Sequence, residues 1–319
     1  MRTLGMVAVV LSVGCASQTD TMFTHQGQVV AQSNGLVLSD DGNEGMAGMY
    51  GTTCVFNARN GQMGSDYDIE GPDEVVEDSN GSGIVLTRSS TGIHEIAPYG
   101  SSYSETTDPN SWDASSETHS AFSTTELEGV LAARWLGDIA VALVNGSSGC
   151  AMHYLGDSPA VVPLNTEVCD QFSAIEVGLS SSAVFISTTE SVLSIREGTV
   201  STWETTGVES LSWDESTQTM YTVRHGSEVL QARRADGVLL WEATTAGISS
   251  MSHLGPHGKV ATMEQDEAGR GLLVVRDSQT GTLIEATSTP AAGHDMTVSR
   301  DGSTLAIAVQ EYIHLFSIN

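Results

Sequence analysis

The sequence of 319 residues is poor in positive charge. Lysine and arginine together number 12 against 40 acidic residues, so the formal net charge is −28, and Lys259 is the only lysine. A surface that binds nucleic acid needs basic side chains to displace counterions, and anionic lipid headgroups attract the same side chains. The composition therefore argues against nucleic acid as a partner and indicates an acidic, well-solvated surface.

Long apolar runs and helical periodicity are also scarce. Residues 4–13 form an apolar run, but that run is only about half the twenty residues that a membrane-spanning helix needs. Elsewhere the apolar stretches are short, Gly, Ser and Thr are abundant, and turn dipeptides such as Asn60-Gly61 and Asp236-Gly237 recur. These features predict an all-β protein with many short strands joined by hairpin turns.

Recognisable catalytic motifs are missing as well. The sequence has neither a Gly-x-Ser-x-Gly nucleophile motif nor a Cys-x-x-Cys pair for zinc. Gly255 and Pro256 break any helix between His253 and His257, which excludes the helical histidine pair of a zinc protease. These histidines are therefore expected to be exposed in turns. The alternative is a loop metal site that includes His294. Four tryptophans are predicted to pack in strands: Trp135, Trp203, Trp213 and Trp241.

Cysteine is rare, with four residues in the chain. Cys150 and Cys169 can form a disulfide in an oxidising compartment, and closing that loop is worth roughly 3 kcal/mol in a chain-entropy treatment. Cys54 lies in an apolar strand and is predicted to be a buried thiol. The remaining cysteine, Cys15, follows the apolar run near the start of the chain.

The first residues are typical of an export signal. Arg2, the apolar run and the small residues after it follow the order of a secretory signal peptide. Residues 11–15, Leu-Ser-Val-Gly-Cys, resemble the lipobox of bacterial lipoproteins, in which the cysteine is acylated after cleavage in front of it. The resemblance implies a signal peptide over 1–14 and a lipid-attached tether over 15–26.

One residue departs from the lipobox pattern, and the residues around Cys15 indicate how the protein would be anchored. Ser12 stands where the lipobox usually has Leu, so ordinary signal cleavage near Ala16 is the alternative. Lipidation of Cys15 would supply more acyl chains than the two membrane-binding groups that stable anchoring requires. Ala16 and Ser17 follow the cysteine in place of Asp, which by analogy predicts the outer membrane.

A strand–turn–strand unit recurs along the rest of the chain. Its most similar copies are residues 54–61, 191–198, 228–233, 272–277 and 312–317. Each copy is preceded by another hairpin, and the first turns of these units fall at Gly42, Gly81, Gly137, Ser181, Glu215, Gly258 and Gly302. Their mean spacing is about 43 residues, the length of a four-stranded β-propeller blade.

The two ends of the repeat region complement each other. The last unit, His294–Asn319, stops after three strands, whereas Gly27–Ala31 is a strand with no hairpin partner. Pairing the two would close a ring and remove exposed sheet edges. We therefore predict one propeller of about seven four-stranded blades over 27–319, with the Ser/Thr-rich stretch Ser101–Thr125 as an inserted loop. A pair of β-sandwiches is the structural alternative.

The repeat pattern resembles the WD40-like and YVTN-like propellers that bacteria export. It departs from WD40 repeats in that Trp213-Asp214 lies in a first turn rather than at the end of a third strand. The resemblance implies partner binding on the faces of the ring. The predicted function is a non-catalytic lipoprotein of the cell envelope that binds a protein or glycan. The alternative is an envelope hydrolase or lyase with its site in the central funnel.

One acidic stretch is a candidate calcium loop. Acids at relative positions 1, 3, 5, 9 and 12 with Gly71 at position 6 follow the ligand order of such a loop. The residues are Asp66, Asp68, Glu70, Glu74 and Glu77. Pro72 and Asp73 depart from the pattern, and a solvated strand and turn between blades is the alternative. No other cofactor is expected.

Overall fold

The computed structural model describes residues 22–30, 35–49, 52–67, 75–79, 85–89, 92–96, 123–204, 207–224, 228–265, 268–289, 291 and 293–319. Over these ranges the chain forms 28 strands, one short α-helix and one 3₁₀ turn. The strands make seven separate four-stranded antiparallel sheets, which are the blades of one ring. The predicted seven-bladed propeller is confirmed.

In blades one to six the strands follow chain order from the inside of the ring to the outside. Blade one contains β2 (Leu36–Leu38), β3 (Glu44–Met49), β4 (Thr52–Asn57) and β5 (Met63–Tyr67). Blade two contains β6 (Val75–Ser79), β7 (Val85–Ser89), β8 (Gly92–Ile96) and β9 (Ser123–Glu126). Blade three contains β10 (Val130–Leu136), β11 (Ile139–Gly146), β12 (Gly149–Leu155) and β13 (Ala160–Pro163).

The helix α1 (Thr166–Asp170) connects blades three and four. Blade four contains β14 (Phe172–Gly178), β15 (Ala183–Thr188), β16 (Ser191–Arg196) and β17 (Thr199–Glu204). Blade five contains β18 (Val208–Asp214), β19 (Thr219–Arg224), β20 (Val229–Arg234) and β21 (Leu239–Thr244). Blade six contains β22 (Ile248–His253), the 3₁₀ turn Gly255–His257, β23 (Lys259–Gln265), β24 (Gly271–Asp277) and β25 (Leu283–Thr289).

Blade seven is built from both ends of the chain. Its strands are β26 (Asp295–Val298), β27 (Thr304–Val309), β28 (Tyr312–Ile318) and, outermost, β1 (Phe23–Val30). The ladder between β1 and β28 runs from Phe23 opposite Ile318 to Val30 opposite Tyr312. The predicted closing strand is therefore confirmed, although it begins four residues before Gly27 because Phe23 packs edge-on against Phe316 at 6.3 Å. Ala31 lies outside the described residues.

Apolar packing between blades explains why second strands read as continuous hydrophobic runs. Every residue of β15 and of β27 is buried, because neighbouring blades cover both faces of the sheet. One core cluster joins Val29 of blade seven to Leu36 and Phe56 of blade one, so the first and last blades pack like any other pair. At the same junction the Thr304 hydroxyl donates to the Gly42 carbonyl at 3.0 Å.

The predicted first turns match the observed hairpins. Six of the seven lie between the first and second strands of their blades, and Gly81, which is outside the described residues, lies between β6 and β7 in the sequence. The insertion Ser101–Thr125 falls between β8 and β9, and its end needs correction. Ser123–Thr125 belong to β9, because they pair with Ile93, His94 and Glu95 of β8. Residues 101–122 lie outside the described part of the chain.

A disulfide joins Cys150 of β12 to Cys169 of α1, with an S–S distance of 2.06 Å, as the sequence suggested. Cys54 is buried in β4 and takes no part in this bond. Cys15 and the rest of 1–21 are outside the described ranges, so lipidation stays a prediction. Within those ranges, no helix has the length and apolar character needed to cross a bilayer.

Candidate functional site

A central channel lies among the blades of the ring. It has a volume of about 980 Å³ and is lined by the first strands of all seven blades. The ring has two faces. One, here called the turn face, carries the hairpins that join first to second and third to fourth strands. The other, the loop face, carries the remaining hairpins and the connections between blades.

Arg134 of β10 is the centre of a charged cluster in this channel. Its Nη1 donates to the Glu77 carboxylate at 3.0 Å and to the Glu77 carbonyl at 2.9 Å, across the boundary between blades two and three. The other Glu77 oxygen accepts from Arg88 Nε at 2.6 Å. Burial opposes the charge of Arg134, but Glu77, Asp78 and Glu176 outweigh that penalty and raise the pKa of the guanidinium.

Two further carboxyl groups lie in the channel and resist ionisation. Burial raises the pKa of Glu176 to about 7, although Arg134 and a hydrogen bond from the Val177 N–H act against that rise. Burial also raises the pKa of Asp295, whose Oδ1 accepts from the Met296 N–H at 2.8 Å. With a pKa of about 7, Glu176 can carry a proton at neutral pH, which is the property of a general acid or of a hydrogen-bond donor to a ligand.

Sequence reasoning did not single out Arg134, Glu176 or Asp295. They are polar residues in strands, which is also the pattern of side chains that face solvent. Only the closed ring shows that the first strands turn this face towards the channel.

A second polar cluster lies at the boundary between blades five and six. The buried Asp214 accepts hydrogen bonds from the backbone N–H and hydroxyl groups of Ser216 and Thr217, at 2.7 to 3.2 Å. His253 Nε2 lies 3.3 Å from Asp214 Oδ1, and the His253 ring stacks on Tyr221. Burial alone would raise the pKa of Asp214, but these hydrogen bonds and His253 hold it well below its usual range.

This second cluster resembles a catalytic triad only in composition. Ser212 Oγ lies 3.1 Å from the backbone nitrogen of His253, from which it accepts a hydrogen bond. A nucleophile would need that contact to come from the imidazole. The cluster therefore fixes the turn after β18 against blade six.

His257 and the tryptophans serve packing. His257 Nε2 lies 2.9 Å from the Gly302 carbonyl oxygen, so it contacts blade seven while His253 contacts blade five. His294 lines the channel. The four tryptophans lie in strands, as predicted, and Trp241 Nε1 donates to the Ser278 carbonyl at 2.9 Å.

The structure separates the two ends of the candidate calcium loop. Asp66 belongs to β5, the outermost strand of blade one, and Glu77 belongs to β6, the innermost strand of blade two. Glu77 is engaged by two arginines. Asp68, Glu70 and Glu74 lie outside the described residues, so the calcium site stays a prediction. Across the ranges that the structure covers, no group of three or more His, Cys, Asp and Glu could hold a metal.

Comparisons with known proteins support the fold alone. No protein-family model matches the sequence, and no curated protein resembles it significantly. Among solved structures 1300 chains match, so the architecture is widespread. One is the β-propeller domain of Cps50 (Swd1) from Myceliophteria thermophila, with a TM-score of 0.73 at 10% identity over 93% of this chain and 100% of that one. At that identity the likeness shows the β-propeller fold and carries no function with it.

Proposed function

We propose that this chain is a lipoprotein of the cell envelope, anchored to the outer membrane through Cys15 after removal of residues 1–14, and that its propeller binds a protein or glycan without catalysing a reaction. The observation that carries the proposal is the uneven distribution of exposed apolar side chains between the two faces of the ring.

Nine large apolar side chains are exposed among the described residues, and eight of them lie at the turn face. Six lie at the beginnings of fourth strands in blades three to six: Val161, Val200, Leu239, Leu240, Leu283 and Ile284. Leu179 and Val238 lie in turns at the same end, and only Tyr312 lies at the loop face. A one-sided apolar rim is typical of a surface that another apolar phase covers.

The proposed tether enters the ring at this same face. β1 is the fourth strand of blade seven and begins at Phe23, the position at which fourth strands leave the turn face. Phe23 is eight positions after Cys15, and an extended chain of that length spans at most about 28 Å. A lipid on Cys15 would therefore hold the apolar rim against or close to the bilayer and leave the loop face open to a partner.

The contacts in the channel favour binding over catalysis. They join carboxylates to arginines or to backbone N–H groups, as Glu77 and Asp295 illustrate. One observation favours the alternative, an envelope hydrolase or lyase. The pKa of about 7 for Glu176 suits a general acid, which such an enzyme would need in its funnel.

The depth of a fluorophore in the bilayer tests the proposed orientation of the ring on the membrane. The lipidated protein would be reconstituted in vesicles with an environment-sensitive dye on Leu283→Cys at the turn face or, as the matched control, on Glu190→Cys at the loop face. Cys54 is buried and Cys150 and Cys169 are bonded, so each variant offers one reactive thiol. We expect a blue shift and quenching by lipid-borne quenchers at position 283 alone. Equal responses at the two positions would overturn the orientation.

Two further measurements test the membrane anchor and distinguish partner binding from catalysis. Cys15→Ser should move the protein from the membrane fraction to the soluble fraction, and a variant that stays membrane-bound would contradict the tether. Affinity purification from solubilised membranes should recover a partner whose binding survives Glu176→Gln. Loss of turnover in that variant on envelope glycans would instead support the enzyme.

A further inference from the structure

The closing strand brings two histidines together on the outer side of blade seven. His25 Nε2 of β1 lies 3.4 Å from His314 Nδ1 of β28, and the ring centroids are 5.7 Å apart. A bulge between His25 and Gly27 places His25 opposite Phe316, two residues from His314 on the same face of the strand. His25 is exposed and His314 is partly so, which leaves this face open to solutes.

The spacing of the two nitrogens fits a shared metal ion. Two imidazole nitrogens on one tetrahedral zinc ion, each at about 2.0 to 2.1 Å from the metal, are roughly 3.4 Å apart. An N–H hydrogen bond in proteins is usually shorter, at about 2.9 to 3.0 Å. Imidazole is a preferred ligand of Zn²⁺, Cu²⁺ and Ni²⁺, whereas Ca²⁺ and Mg²⁺ take oxygen ligands.

We propose that His25 and His314 bind a late first-row divalent metal ion such as Zn²⁺, with water or another ligand in the remaining positions, and that the ion clamps the closing strand to the last blade. The two residues are 289 positions apart, so the ion would close a loop of nearly the whole propeller. Links across long loops have the largest entropic effect on the unfolded chain. The proposal does not depend on the tether or on a partner.

Thermal unfolding with the metal alone tests the clamp. The purified protein would be melted at pH 7.5 after treatment with EDTA, with and without ZnCl₂ or NiCl₂. We expect either metal to raise the Tm by several degrees and CaCl₂ to leave it unchanged. In His25→Gln and in His314→Gln the metal-dependent rise should be lost, whatever the Tm of the metal-free variant. His153→Gln, a partly exposed strand histidine of blade three, is the matched control and should keep the full rise.

Two readouts localise the effect. Isothermal titration should give an affinity for Zn²⁺ at least about tenfold weaker in either single variant than in the wild type, as expected for the loss of one of two ligands. Amide hydrogen exchange should slow in β1 and β28 when Zn²⁺ is added. A rise in Tm that persists in both variants, or that grows with protein concentration, would overturn the clamp.

Discussion

Two boundaries between adjacent blades are held together by different kinds of interaction. Between blades two and three the ring is joined by charge, because Arg134 of one blade binds Glu77 of the other. Between blades five and six it is joined by Asp214 against His253 and, further out, by Trp241 against the turn at Gly281. The first boundary places its polar groups in the channel, and the second places an aromatic ring near the rim.

This difference between boundaries explains why the repeats share no sequence motif. A wedge-shaped gap between blades can be filled by any groups of suitable volume whose polar atoms are satisfied. The aromatic packing recurs between blades four and five, where Trp203 packs against the turn at Gly237 in the same way. Charged contacts at one boundary and aromatic contacts at another both preserve the ring, so the blades need not share a sequence motif.

Arg134→Met should have the largest effect on stability, because it leaves the Glu77 carboxylate, only 6% exposed, without its partner across the boundary. We expect a loss of about 3 kcal/mol in the free energy of unfolding, measured by urea denaturation. Arg234→Met is the matched control, since Arg234 pairs with Asp236 on the exposed surface. An equal loss in the two variants would show that the charged boundary carries no special weight.

Asp214→Ala should weaken the boundary between blades five and six by about 2 kcal/mol, because the turn donors of Ser216 and Thr217 lose a shared acceptor. Ser216→Ala, which removes a single hydroxyl donor, should cost about 1 kcal/mol or less in the same urea titration. If the two variants unfold at the same urea concentration, the carboxylate does not organise this turn.

Gly281→Ala tests the aromatic part of the same boundary. Gly281 has a φ of +71°, and a Cβ there would lie 2.6 Å from Cε3 of Trp241. We expect a loss of about 1 to 2 kcal/mol from backbone strain and the clash together. In a Trp241→Ala background the added loss should fall to that of the strain alone, and a double-mutant cycle measures the difference. A coupling of zero would contradict the packing of Trp241 on this turn.

Glu176→Gln should act on the pH dependence of stability. The folded-state pKa of about 7 lies above the ordinary value of 4.5. The stability that this carboxyl contributes is therefore complete below pH 4.5 and is lost as the pH rises through 7. The variant should thus lose less stability than the wild type between pH 5 and 8, by about 2.5 kcal/mol.

Glu242→Gln on the outer strand β21 is the control for this measurement, because Glu242 is exposed. Its melting temperature should follow the pH dependence of the wild type. Identical pH profiles for Glu176→Gln and the wild type would show that Glu176 titrates normally in the folded protein.

The ring was predictable from sequence because its signals are local. The hairpin turn at Gly302 and the apolar run of β27 are short-range patterns that recur along the chain. The closing strand could be inferred because one end of the repeat lacked a strand that the other end supplied. Its true start at Phe23 was missed because the aromatic contact with Phe316 joins opposite ends of the chain.

The channel could not be predicted in the same way. Glu77 and Arg134 are 57 positions apart, and neither has neighbours that distinguish a channel residue from a solvated one. The pairing of His25 with His314 depends on a bulge in β1, which shifts the register by one residue. Such contacts follow from the closed geometry and from nothing in the local sequence.

The central proposal is that the strand that closes the ring follows directly on a membrane tether at Cys15. Mass spectrometry of the mature protein, extracted intact from membranes, tests it most directly. The account predicts a chain that begins at Cys15 and carries acyl groups on that residue. An unmodified chain that begins at Ala16 or later would contradict it.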